Sequence, residues 1–303
     1  MLLKDFIKSA TERLSHIYPS PEARGIVIML CEERLGVKSY THIVAPEYTI
    51  KDSALETLEK DMERLSNAEP IQYVLGHCDF FGYRFNVAPG VLIPRPETEQ
   101  LVSIALKALK CGKENISTIN ADRHTPKVLD LCTGSGCIAW SVALETSSAQ
   151  VYGVDISRDA LSIAESQFTG NCHPPHFVEA DILKSDTSGR AVIPDDIAAE
   201  GPFDIILSNP PYIMDSERSQ MRPNVLRYEP QLALFVPDNN PLLFYDACAR
   251  WTSGLLAEGG MAVFEINERL GVQTMELLKR YGFKNVTLIT DCFGKDRFVS
   301  FHR

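Results

Sequence analysis

The stretch FDIILSNPPYIM, residues 203–214, ends an apolar run on an asparagine, two prolines and a tyrosine. A continuous apolar run of this length predicts a buried strand, which leaves Asn209 at its carboxyl end. Pro210 pushes Asn209 into an extended conformation, and Pro210 and Pro211 fix φ while offering no N–H. What remains is a stiff loop of acceptors: the Asn209 side-chain oxygen and the Pro210 carbonyl. Two acceptors at fixed spacing suit a planar NH₂ group, which has two hydrogens to give. The nitrogen of an amide or an aromatic amine is a poor nucleophile because its lone pair is delocalised. Holding both N–H bonds aims it at an electrophile and favours pyramidalisation as positive charge develops. Tyr212 can form an apolar wall against the plane of such a substrate. No strong base is needed, since the nitrogen turns acidic once alkylated.

The electrophile has to come from elsewhere in the chain's architecture. KVLDL (127–131) reads as a strand, followed by the turn Cys132, Thr133, Gly134, Ser135, Gly136 and then a helical pattern. A strand, a glycine turn and a helix let a ligand approach the backbone closely. Read literally, Gly134-x-Gly136-x-x-Ala139 matches the dinucleotide pattern, and Asp155 ends the next strand where an acid can accept from ribose hydroxyls. Asp181, after a third strand, is placed to receive an adenine amino group, with Ile182 as its apolar neighbour. These residues point to an adenosine cofactor. Nicotinamide enzymes and S-adenosylmethionine-dependent methyltransferases share the signal, and Asp155 and Asp181 could instead cap the helices that follow. Of the two cofactors, a sulfonium methyl brings its own reactivity to a held nitrogen.

The elements that must position these groups follow from periodicity. Candidate strands are 127–131, 151–154, 176–180, 203–208, 261–266, 285–290 and 297–302. Crossover-length segments separate the first five, which predicts a parallel sheet with helices on both faces. The last two are joined by DCFGKD, too short for a crossover, so they form an antiparallel hairpin at the end of the sheet. The expected fold is therefore α/β and Rossmann-like, a seven-stranded, mostly parallel sheet with an antiparallel terminal hairpin. A small helical domain precedes it at residues 1–75. There, Leu3, Phe6, Ile7, Ala10, Leu14 and Ile17 follow helical spacing. Ser20-Pro21 reads as an N-cap with proline at the first helical position, and Ser53-x-x-Glu56 as a capping box. Residues 76–94 read as a β-hairpin linker with Gly82 at its turn. Pro96, Glu97 and Glu99 open a helix at the start of the 95–303 catalytic domain. Lys184–Pro202 reads as a surface loop.

Composition narrows the classes of function. The chain has 303 residues, 45% hydrophobic and 23% charged, with a formal net charge of −10. A partner held mainly through phosphates needs a basic face, so the charge argues against a nucleic-acid substrate. No run of eighteen apolar residues encodes a membrane span, and the N-terminus lacks the pattern of a signal peptide. Eight cysteines without a CxxC pair fit reduced thiols in the cytoplasm. Cys172, His173 and His176 cluster in NCHPPH, but two prolines between the histidines and the lack of a second ligand cluster favour a plain loop, and no metal is expected.

Over nearly its full length the sequence resembles the HemK/PrmC protein-(glutamine-N5) methyltransferases, which modify the glutamine of the Gly-Gly-Gln loop in class 1 peptide-chain release factors. The resemblance rests on EPIQYVLGHCDFFGYRFNVAPGVLIPRPETE (69–99), the glycine turn, SNPPYI, RYEPQLAL (227–234) and FGKDR (293–297). It implies that Cys132 to Gly136, Asp155, Ile182 and Asn209 contact S-adenosylmethionine, and that Asn209, Pro210, Pro211 and Tyr212 hold the substrate glutamine. It also implies that Arg95, Thr98 and Glu99 support the edge of the site. Cys132 departs from the family pattern where a glycine is usual, and Asn267 does so after the EI pair. At Cys132 a positive φ is costly.

Three functions are compatible with the motifs. An adenine-N6 methyltransferase acting on DNA or RNA could use the same Asn-Pro-Pro-Tyr, but would need a basic, aromatic recognition region. A nicotinamide oxidoreductase has no use for that loop. A glutamine methyltransferase uses every feature, with Asn209, Pro210 and Tyr212 at the chemistry, and it is the expected function.

Overall fold

The computed structural model of the chain describes residues 1–115, 125–146, 148–168 and 173–303. Cys172 of the NCHPPH cluster lies outside the described residues. The chain divides into two compact units, Met1–Cys78 with Val87–Pro89 and Met221–Glu229, and Asp79–Asn86 with Gly90–Gln220 and Pro230–Arg303.

The first unit is helical. The helix Leu3–Leu14 buries Leu3, Phe6, Ile7, Ala10 and Leu14, the i, i+3, i+4, i+7 stripe of its sequence. Against it pack Ser20–Leu35, through Ala23, Val27 and Leu30, and Asp52–Ser66, through Leu58, Met62 and Leu65. Buried Asp61 is not an orphan: Arg34 Nε donates to its Oδ2 at 2.6 Å. Both anticipated caps are displaced towards the N-terminus, the first by one residue and the second by two. Pro19 is the cap residue of the second helix, so Ser20 and Pro21 both lie in the first turn, where no N–H has an intrahelical partner and proline costs little. In the third, Ala54 N and Leu55 N already donate to Lys51 O at 3.0 and 2.9 Å, which draws Ser53 inside the helix and away from the capping position. Two short helices, Thr41–Val44 and Ile71–Leu75, were not anticipated. The late segment Met221–Glu229 closes this unit: Arg222 pairs with Glu22, and Tyr228 Oη donates to Asn67 O at 3.0 Å.

Strands β1 (His77–Phe80) and β2 (Tyr83–Asn86) form the expected hairpin. Its turn residues Phe81 and Gly82 both have positive φ, 51° and 78°, the geometry that matches strand twist in a two-residue turn.

The second unit is built on β3 (Lys127–Leu131), β4 (Gln150–Asp155), β5 (His176–Glu179), β6 (Phe203–Ser208), β7 (Ile213–Met214), β8 (Phe235–Val236), β9 (Leu256–Glu265), β10 (Lys284–Thr290) and β11 (Asp296–His302). Its main sheet runs β10-β11-β9-β6-β3-β4-β5. β5, β4, β3, β6 and β9 are parallel neighbours, and β11 is antiparallel to both β9 and β10. Side chains alternate between two apolar layers. Val128, Ile205, Leu207, Val263 and Phe298 face the helices Glu99–Asn115 and Cys137–Glu145. Leu129, Leu131, Ile206, Phe264 and Val299 face Leu243–Leu255 and Gly271–Arg280. A sheet covered on both faces needs such continuous apolar strands.

β9 starts five residues before the anticipated 261, because its register with β6 shifts between Phe203 and Ile205. A bulge around Gly259 (φ 75°) and Gly260 lets the strand resume pairing. The segment Lys184–Pro202 contains a short helix, Asp195–Ala198, and a bridge between Ser185 and Ala191, and is otherwise irregular. The small parallel pair β7–β8 is a further element that periodicity did not reveal.

Candidate active site

The register of the main sheet sets a row of residues along its carboxyl edge. Leu131 is paired with both Val154 and Ser208, and Ser208 with Phe264. The next residues out are therefore Cys132, Asp155, Asn209 and Glu265. Chain order reverses between β3 and β6, the place where open α/β sheets open a crevice for a ligand.

A cleft open to solvent lies over this edge, the place where ligands bind in such sheets. Cys132, Gly134, Asp155, Asp181, Ile182 and Asn209 line it, joined by Pro211. Thr133, Ser135 and Gly136, also expected at the cofactor, lie behind its wall. Thr133 Oγ1 donates to buried Asp130 Oδ2 at 2.5 Å, and Ser135 O accepts from Gln167 Nε2 at 3.2 Å. Gly136 (φ 76°) has no room for a Cβ, which would meet Ala164 Cβ at 2.9 Å. These three shape the turn from beneath. Cys132 takes φ 61°, so the left-handed backbone that disfavours a cysteine is adopted nonetheless. The neighbouring Cys248 thiol, with burial, pushes the Cys132 thiol well above its ordinary range, so it stays a neutral packing group.

Asp155 is partly committed to the fold. Its Oδ2 accepts from Gly134 N at 2.8 Å and its Oδ1 from Ser157 N at 2.9 Å. A carboxylate has about four lone-pair sites, and the backbone N–H of Ile156 also bears on this one, which leaves acceptor capacity for a ligand hydroxyl. Asp181 Oδ1 accepts from Leu183 N at 2.9 Å, and its second oxygen has no hydrogen bond among the described residues. Both acids thus hold the local backbone and still border the cavity. The apolar part of the wall is unusually exposed: Ile156 at 45% and Leu232 at 56%. Two exposed aliphatic side chains beside acceptors fit a flat, partly apolar ring carrying polar edges, so the residues present fit an adenosine-type cofactor. Leu92, Leu232 and Phe244 also line the cavity and were not among the expected site residues. Leu92 and Leu232 lie in the quoted segments 69–99 and 227–234, but neither segment was assigned to the cofactor, and Phe244 lies in a segment without a motif.

On the β6 side, Asn209 is held from behind. Its Nδ2 donates to Thr98 Oγ1 at 3.2 Å, and Thr98 Oγ1 donates to Glu265 Oε2 at 2.7 Å. The other oxygen, Glu265 Oε1, accepts from Tyr212 Oη at 3.0 Å. Thr98 and Glu265 are 2% and 1% exposed. Burial pushes the Glu265 carboxyl up, opposed by these two hydroxyls and by the Arg297 charge. Burial likewise raises the Tyr212 phenol, helped by the Glu265 charge, so Tyr212 remains protonated and a donor. Asn267 Nδ2 donates to Tyr212 O at 3.1 Å and to Glu217 Oε2 at 2.9 Å, which fixes the loop where a glycine would leave it free. Pro210 is buried and, with Tyr212, stands outside the cavity wall.

Arg95 is half-buried nearby. Glu99 serves the hairpin instead: its Oε1 accepts from Phe81 N at 2.9 Å. Glu265 was missed from the sequence; an acid closing an otherwise apolar strand, MAVFE, was its only signal. Among the described residues no His, Cys, Asp and Glu group could hold a metal ion. His173 is exposed, and His176 sits in β5 with its ring edge-on to Tyr152. No helix among the described residues is long and apolar enough to cross a membrane.

Known proteins resemble this chain from end to end. The family model for the PrmC N-terminal domain matches residues 5–76, and that for the methyltransferase small domain matches residues 114–226. The release factor glutamine methyltransferase of Flavobacterium psychrophilum is 37% identical over 299 residues, covering 99% of this chain and 98% of that protein. The Bacteroides thetaiotaomicron protein of the same name is 36% identical over 293 residues, 96% and 97% of the two chains. Among solved structures, the release factor-specific protein-(glutamine-N5) methyltransferase of Alicyclobacillus acidocaldarius is 26% identical. It covers 72% of this chain and 99% of its own, with a TM-score of 0.40.

Proposed function

Because the chain belongs to the release factor glutamine methyltransferase family, we propose that it methylates the side-chain amide nitrogen, N5, of the Gly-Gly-Gln glutamine in class 1 peptide-chain release factors. The observation that carries this is the anchored Asn209 amide: its nitrogen gives a hydrogen to Thr98, which turns Oδ1 the other way as an acceptor beside the cavity.

S-adenosylmethionine, when bound, supplies a methyl group on a positively charged sulfur. Asp155 and Asp181 would take its hydroxyl and amino hydrogens, with Ile156, Ile182 and Leu232 against its flat ring. Asn209 Oδ1 and the Pro210 carbonyl accept the two hydrogens of the substrate amide and turn its lone pair towards the cavity. Pro210 and Pro211 keep the two acceptors at fixed spacing, so no ordering is required when the substrate arrives. As charge builds on nitrogen, both N–H bonds become better donors, and the same acceptors stabilise the transition state more than the ground state. No side chain is needed as a base before transfer, and the proton leaves to water afterwards.

We further propose that the helical residues 1–75 position the release factor, and that the enzyme works in the cytoplasm, where its substrate is used. An acidic chain supports a protein substrate over DNA or RNA. The test uses radiolabelled S-adenosylmethionine with an intact release factor, the same factor with the Gly-Gly-Gln glutamine changed to alanine, and bulk DNA and RNA. Label is expected on the intact factor alone. Label on nucleic acid would mean that Asn209 to Tyr212 hold an adenine.

A further inference from the structure

An asparagine side chain has nearly the same shape after a half-turn about its last bond, yet the turn exchanges acceptor for donor. In the Asn209 loop the difference is decisive. With Oδ1 facing the substrate, an NH₂ group meets two acceptors; with Nδ2 facing it, donors oppose each other and one hydrogen bond is lost. Something must fix the choice before the substrate arrives.

The choice is made two groups away. Glu265 is buried at the end of β9, and both its oxygens accept, from Thr98 Oγ1 at 2.7 Å and Tyr212 Oη at 3.0 Å. A carboxylate has no proton to give. Thr98 has one hydroxyl proton, and Glu265 takes it. Towards Asn209, Thr98 can therefore only accept, so Asn209 must present Nδ2, as it does at 3.2 Å. The Tyr212 hydroxyl on the second oxygen, with the Tyr212 carbonyl tied to Asn267 at 3.1 Å, keeps the carboxylate from turning away. The polarity runs one way: Asn209 to Thr98 to Glu265.

We propose that Glu265, acting through Thr98, is the positioning residue that sets the polarity of the Asn209 amide and thereby makes the loop specific for an NH₂ substrate. This rests on the reading in which Asn209 Oδ1 accepts from the substrate amide. Glu265→Gln keeps the shape but adds a donor. Its amide can give a hydrogen to Thr98, which frees the Thr98 proton for Asn209 and favours the turned amide.

The test measures kcat and KM for an intact release factor, calorimetric affinity for S-adenosylmethionine, and thermal unfolding. In Glu265→Gln, kcat is expected to fall roughly 10- to 100-fold, less than the roughly 100- to 1,000-fold cost of removing a group that touches the reacting atoms, because Glu265 acts through Thr98. KM and cofactor affinity should stay within about twofold. Thr98→Val should lose a similar factor in kcat, and Thr98→Ser should restore most of it. Wild-type kcat in Glu265→Gln, or equal activity in the Val and Ser variants, overturns the proposal. So does a loss of kcat matched by lost cofactor affinity or a collapsed unfolding temperature, which would make Glu265 a support of the fold. If Glu265→Gln does not fold, the Thr98 pair decides. Asn209→Ala separates the two levels. If it is inactive while Glu265→Gln is fully active, only the polarity proposal fails; if it is fully active, the methyl-acceptor reading fails first.

Discussion

Two loops leave neighbouring strands side by side, after Leu131 and after Ser208, and they are made rigid by opposite means. The glycine turn is stiffened through its own backbone: Gly134 donates to Asp155, and Gly136 leaves no room for a side chain. Its acid holds the turn and also stands at the cavity, where the proposed function has it meet the cofactor. The Asn-Pro-Pro-Tyr loop has no amide to donate at either proline, so its support comes from side chains. Its acid, Glu265, is hidden behind the loop, where its two oxygens accept from Thr98 and Tyr212. Under the proposed function, the loop that wraps a large ligand is built from N–H groups and the loop that aims one nitrogen is built from acceptors.

The contrast predicts opposite phenotypes. Asn209→Ala should lower kcat by about 100-fold or more while cofactor affinity stays within about threefold. Asp155→Ala should weaken cofactor binding by about 1–3 kcal/mol for the unpaired hydroxyls. It should also lower the unfolding temperature, since Gly134 and Ser157 lose their acceptor. Calorimetry and steady-state rates on the same two proteins check this; if both variants lose affinity equally, the two loops are one unit.

A smaller effect separates the buried acids. Burial lifts the Asp130 carboxyl from the usual aspartate value of 3.8 to about 7, opposed by the Thr133 hydroxyl. A raised carboxyl favours the folded protein while protonated, so its contribution is complete below about pH 4 and is lost as pH rises through about 7. Relative to Asp130→Asn, the wild type should lose stability between pH 5 and pH 8 in urea unfolding. A constant difference between the two proteins would mean that Asp130 titrates alike folded and unfolded.

The smallest effect belongs to Cys132. Its φ of 61° costs a non-glycine residue roughly 1–2 kcal/mol, against about 0.5–1 kcal/mol of extra chain freedom for glycine. Cys132→Gly should therefore be more stable by less than about 1 kcal/mol, with cofactor affinity unchanged. A clear destabilisation would show that the thiol beside Cys248 holds the turn.

The two loops also differ in how far they can be read from sequence. The glycine turn is a local pattern: strand, glycines and helix lie within a dozen residues, and the acids follow at strand ends. The five parallel strands and the terminal hairpin were legible for the same reason, since apolar runs and connection lengths report them directly. What holds Asn209 was legible only in part: the resemblance named Thr98 as a support of the site's edge, but not its bond to Asn209 or the acid behind it. Thr98 is 111 residues before it, and Glu265 comes into line only through the pairing of β6 with β9. The exposed wall residue Leu232 and the pair β7–β8 carry no periodicity. The helix caps failed by one and two residues, because Ser and Pro are tolerated at several first-turn positions.

The inclusion of Met221–Glu229 in the first unit has a consequence for how the chain is made. That unit begins at Met1, yet two of its bonds, Arg222 to Glu22 and Tyr228 to Asn67, need residues that lie beyond Asn209. During synthesis from the amino terminus, these two bonds can form only after the Asn-Pro-Pro-Tyr loop has been made. Glu22 and Asn67 are thus made early and gain these partners late.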